Sequence, residues 1–121
     1  MRSAGIVRTV SIANDTRGSV LGASVGVADR WWLRLRGLLG RPPLAPGEGL
    51  LLDPCRAVHM LGMSYPLDVV FVDEGRTVVA TYHELAPRAR TAWHASRYAL
   101  ELPAGTLRDT GTHAGDTLRW T

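Results

Sequence analysis

Two adjacent runs constrain this chain most: residues 67–73, LDVVFVD, and residues 76–83, RTVVATYH. Both are short and rich in β-branched and aromatic residues, which fit a pleated, half-buried surface better than a helix. Asp73-Glu74-Gly75 between them has turn chemistry, so the pair reads as a β-hairpin. Within the first run, Leu67, Val69 and Phe71 fall on one face, and Asp68, Val70 and Val72 on the other. A carboxylate on that second, otherwise apolar face needs a partner.

The same reading extends to the rest of the chain. Residues 5–12 and 19–27 are strands joined by the turn-forming NDTRG. Residues 50–52, 55–61 and 98–102 are further short strands, and DTLRW closes the chain as another. Residues 28–39, ADRWWLRLRGLL, change period. Ala28, Trp31, Trp32, Leu35, Leu38 and Leu39 recur at helical spacing opposite Arg30, Arg34 and Arg36. This predicts an amphipathic helix with Asp29 at its start and both tryptophans packed on the core, stopped by Gly40, Pro42 and Pro43. Residues 41–49 and 84–97 read as loops, and PAGTLRDTG as one helical turn. Gly115 is placed for a positive φ in the tight turn of 111–116. The expectation is a mainly β, compact single domain over residues 1–121: a β-barrel or β-sandwich of about eight short strands with one helix near 28–39.

Composition narrows the function classes. The 121 residues hold 14 basic and 11 acidic side chains, and every basic one is Arg. Arg forks suit phosphate, but these are scattered rather than gathered into a stripe, so nucleic acid is not an expected partner. An all-arginine set also fits a GC-rich bacterial genome. The single cysteine, Cys55, excludes an internal disulfide. No run approaches the ~18 apolar residues of a membrane span. The opening MRSAGIVRTVSIA is too short and polar for an export signal, so the cytoplasm is the expected location.

The sharpest chemical pattern is Cys55-x3-His59-x3-Met63, a soft ligand set. On a strand each step of four residues spans about 13 Å, too far for one metal. The expectation is therefore no metal and no cofactor, with Cys55 and His59 the only weak metal candidates. Asp68 and Glu101 each interrupt apolar strands, and two carboxylates on neighbouring strands can act as acid and base. His59, Met63, Asp68 and Glu101 are the candidate ligand pocket. Trp93, with Arg88 and Arg90 in the 84–97 loop, is the candidate partner surface, since exposed Trp and Arg are frequent binding hot spots. The histidines lack HxH or HExxH spacing, and His94 near Ser96 has no nucleophile elbow, so a hydrolase triad is not expected.

In order along the chain stand Arg36-Gly37-Leu38-Leu39, Gly49-Leu50-Leu51-Leu52, His59-Met60, Met63, Pro66-Leu67-Asp68-Val69-Val70-Phe71-Val72-Asp73, Tyr98-Ala99-Leu100-Glu101-Leu102-Pro103-Ala104-Gly105 and Gly115-Asp116. Across residues 28–120 this set resembles the family known as domain of unknown function 192. The resemblance implies a small, mostly β protein and carries no established reaction. Many members have an aromatic-Met-Lys-Asn segment where this chain reads Val58-His59-Met60-Leu61, so a ligand held there could differ. The leading expectation is a non-enzymatic accessory module binding an unknown small ligand or protein. The alternatives are a small enzyme using Asp68, Glu101 and His59, or a metal-binding protein using Cys55, His59 and Met63.

Overall fold

The structure is a computed structural model; it describes residues 8–121, apart from the side chains of Trp31, Leu35 and Arg36. Its strands are β1 (Thr9–Asn14), β2 (Ser19–Ala28), β3 (Glu48–Leu52), β4 (Leu67–Val72), β5 (Val78–Leu85), β6 (Tyr98–Pro103) and β7 (Leu118–Arg119). Two short helices, α1 (Trp31–Arg36) and α2 (Thr106–Thr110), lie between β2 and β3 and between β6 and β7. All seven strands form one sheet in the order β5-β4-β6-β3-β2-β1-β7, curled into a half-barrel. Near its ends the sheet turns back on itself: Val78 N–H donates to the Asp116 carbonyl and Leu118 N–H to the Arg76 carbonyl. A single curled sheet thus replaces the choice between barrel and sandwich.

Local chemistry explains the elements. β1 and β2 pair antiparallel from Asn14↔Ser19 upward, and the turn between them is held by Arg17 N–H on Asn14 Oδ1, with Gly18 at φ 69°. Residues 5–7 of the expected first strand lie outside the described residues. β2 and β3 run parallel, which requires the crossover that α1 and the proline-rich loop after it supply. α1 is shorter than its apolar pattern: it spans six residues and stops at Gly37, at φ 52°. Ala28 belongs to β2, Arg30 rather than Asp29 occupies the N-cap, and Asp29 pairs instead with Arg8 at 3.4 Å. Leu33 and Leu38 face the core, whereas Trp32 is 49% exposed and sits beside the Arg30 guanidinium. The expectation that Trp32 packs in the core is therefore corrected; the side chain of Trp31 lies outside the described ones.

β4 is buried on both faces, and the alternation read from its sequence holds. Leu67, Val69 and Phe71 join Leu50, Leu52, Val58 and Met60 on one side of the sheet. Val70 and Val72 join Ile12, Val25, Leu100, Leu102 and Leu107 on the other. The first side is covered by α1 and by residues 53–65, the second closes within the curl and is plugged by α2.

The eighth expected strand, residues 55–61, is irregular. Its backbone bonds to the long loop instead of to the sheet: Cys55 N–H to Arg97, Met60 N–H to Ala89, and Thr91 N–H to Val58. Only His59↔Arg90 forms an isolated bridge. Val58 and Met60 are buried while His59 is exposed, so an alternating pattern arises from packing of a loop over the sheet rather than from strand pairing.

Candidate functional site

A cavity of about 120 Å³ lies between the sheet and this covering segment. Arg34 from α1, Leu38 and Leu39 from the turn after it, Leu52 from β3, Glu101 from β6 and residues 55, 57–61 and 63 of the irregular segment line it. Three of the four expected pocket residues, His59, Met63 and Glu101, meet here, and Cys55 joins them.

Glu101 dominates the electrostatics. It is only 7% exposed and pairs across the sheet with Leu50 and Val69, and its carboxyl makes no hydrogen bond or ion pair with a described residue. Burial pushes its carboxyl up to about 7, because an apolar surround disfavours the charged form. Burial also raises the Cys55 thiol, with the nearby Glu101 charge adding to the rise. The Cys55 Sγ lies 3.2 Å from the Ala57 carbonyl oxygen, and the backbone hydrogen bond at Ala57 and the Arg34 charge both act in the opposite sense without offsetting burial. The sulfur is therefore held as a thiol, the poorer nucleophile and ligand. Burial, then Glu101, raises the Tyr65 phenol in the same way.

Asp68 does not belong to this cavity. It is fully buried on the opposite face of the sheet, paired in register with Leu102. Its Oδ2 accepts the N–H groups of Gly105 and Leu107 at 3.1 and 2.8 Å, and its Oδ1 accepts that of Glu84 at 2.8 Å. It ties the start of α2 to the end of β5, where Glu84 has a φ of 49°. The sequence grouped Asp68 with Glu101 because both break apolar runs; strand register separates them, since paired neighbours share a face and Asp68 is one residue out of step with Val69↔Glu101.

Cys55, His59 and Met63 are not spaced along a strand, so the distance argument against a shared site does not apply to this segment. Among the described residues, however, no group of three or more His, Cys, Asp and Glu side chains is placed to hold a metal ion. Arg34 was not singled out from the sequence as a cavity residue: it reads as part of the helix's polar face, and only the fold shows that face turning toward Asp53, whose carbonyl accepts its Nη1 at 3.2 Å.

Trp93 is 68% exposed, and Arg88 and Arg90 of the same loop are exposed as well. The neighbouring His94 faces inward, stacked on Phe71 with ring centroids 4.6 Å apart and bonded through Nε2 to the Tyr82 hydroxyl at 2.7 Å. That anchor leaves Trp93 pointing off the core.

The family profile described as Uncharacterized ACR, COG1430 (DUF192) matches residues 12–120. The chain belongs to this family. Among its relatives, a UPF0127 protein of Thermococcus sibiricus is 28% identical over 116 residues, covering 90% of this chain and 73% of the relative. The UPF0127 protein TK1120 of Thermococcus kodakarensis is 31% identical over 114 residues, covering 91% and 73%. A solved structure from Sinorhizobium meliloti 1021, provisionally described as a transcription regulator, superposes with a TM-score of 0.81 at 26% identity over 98% of both chains. A protein of unknown function from Novosphingobium aromaticivorans superposes at 0.82 with 23% identity, over 99% and 90%. The DUF192 fold thus spans archaeal and bacterial chains, and the sources do not restrict it to bacteria. No helix among the described residues is long and apolar enough to cross a membrane.

Proposed function

We propose that this DUF192 protein is a binding module that takes a small ligand into the cavity above Glu101. One observation carries the reading: the carboxyl of Glu101, a residue only 7% exposed, has no hydrogen-bonding partner among the described residues and faces an otherwise mostly apolar space. Buried polar groups are rarely left unsatisfied, and a mostly apolar pocket with few polar groups is the usual form of a small-molecule site. An engineered apolar cavity of about 150 Å³ accepts benzene, so this cavity suits a body of similar size. Asp68 is fully committed to backbone donors, which removes the second carboxylate an acid–base pair would need. The described arginines 8, 17, 97, 108 and 119 are paired with acidic side chains, which weighs against a phosphate-binding stripe.

The test fills the space. Ala57 lines the cavity from an exposed position, so Ala57→Trp blocks it without touching the core. In a ligand-observed NMR fragment screen, hits that bind the wild type are expected to lose binding to Ala57→Trp. Hits indifferent to that substitution would end the reading.

A second reading rests on Trp93, whose exposure beside Arg88 and Arg90 suits docking of a protein partner. Once a partner is in hand, Trp93→Ala is expected to weaken its binding by about tenfold or more; unchanged affinity would exclude the loop.

A further inference from the structure

The head group of that ligand follows from the charges around the cavity, and the inference rests on the cavity being a binding site. We propose that the ligand is an organic cation: a primary ammonium on a short alkyl chain, either a free alkylamine or the tip of a lysine side chain. Ionised Glu101 offers acceptors only, and an ammonium offers three donors with the opposite charge.

Among the described residues no cation forms an ion pair with Glu101. Arg34 on α1 also lines the cavity, but it forms no ion pair with Glu101 and donates to the Asp53 carbonyl. His59 and the Cys55 thiol from the covering segment are the remaining titratable lining groups, with Tyr65 and Arg41 close by. Cys55 and Tyr65 both respond to the charge of Glu101, yet burial is the sole influence resolved on Glu101 itself. An anionic ligand would place like charges together in a desolvated space, and an alcohol would leave the carboxylate charge uncompensated. The lining matches an alkyl stem: Leu39 and Leu61, which are 47% and 62% exposed, give it apolar surface that solvent reaches. Lysine carries such a stem, four methylenes long, and commonly lays it along apolar surface.

Calorimetric titration of the full chain with butylamine, butanol, butyrate and Nα-acetyl-lysine methylamide, at matched ionic strength and pH 8, tests this. Butylamine is expected to bind the wild type and to lose about tenfold or more in affinity with Glu101→Gln. The lysine derivative binding at least as well as butylamine would identify a lysine side chain as the source, and binding by butylamine alone would identify a free amine; both support the cation. Butanol or butyrate binding more tightly than butylamine overturns the cation and leaves the pocket intact. No binding by any of the four overturns the cation, while fragment hits sensitive to Ala57→Trp would still uphold the pocket. Should Glu101→Gln not fold, amide shifts on the wild type decide: perturbation by butylamine centred on residues 55–60 and 101 supports the site, and perturbation elsewhere refutes it.

Discussion

Asp68 and Glu101 lie on adjacent strands and face opposite sides of one sheet, and their surroundings assign them different work. Asp68 holds three backbone N–H groups. Asp68→Ala leaves those donors without an acceptor and is expected to cost about 3 kcal/mol in urea unfolding, with ligand affinity per folded molecule unchanged. A loss of binding at unchanged stability would instead place Asp68 in the site. Glu101 has the reverse profile. Its carboxyl titrates near 7 in the fold and near 4.3 when unfolded. The folded state therefore holds more protons between those values, and stability falls as pH rises through that window, then levels off above about 7. Glu101→Gln is expected to remove this fall and to be more stable than wild type at pH 8 by up to about 4 kcal/mol. An unaltered pH profile in the variant would show that Glu101 is solvated.

At the scale of elements, the cavity exists because an irregular segment, not a strand, covers this side of the sheet. β3 can lie close under Glu101 because Gly49 has no side chain: a Cβ there would come within 2.9 Å of the Glu101 carbonyl oxygen and 3.0 Å of Leu102 Cδ2. Gly49→Ala is expected to cost about 2 kcal/mol, measured by thermal unfolding, and to shift the amide resonances of β6; a neutral substitution would mean that the two strands sit further apart. These elements were unequally legible in sequence. The β4–β5 hairpin was plain because β-branched runs and turn residues carry local information. The 55–61 segment was misread as a strand because Val58 and Met60 alternate with exposed residues as a strand would, while their hydrogen bonds go to a loop some thirty residues away, as with Val58 and Thr91. α1 ended early because Gly37, three residues before Gly40, already takes a positive φ.

For the whole molecule, the mainly β class and the DUF192 membership were readable from short strands and from an ordered set of motifs. The strand order was not, since a seven-stranded half-barrel with one parallel pair depends on contacts between distant segments. The same limit applies to the site. Glu101, His59 and Met63 stand out as polar or soft residues among apolar ones, but their meeting, and the removal of Asp68, depend on register and on how residues 53–65 fold back. Glu101, largely buried and without a side-chain partner among the described residues, is the centre of the proposed site. The most direct measurement is the pH titration of its side-chain carboxyl carbon by ¹³C NMR. A midpoint close to 7, moving downward when butylamine is added, is the expected result. A midpoint in the ordinary carboxylate range, unmoved by the amine, would contradict it.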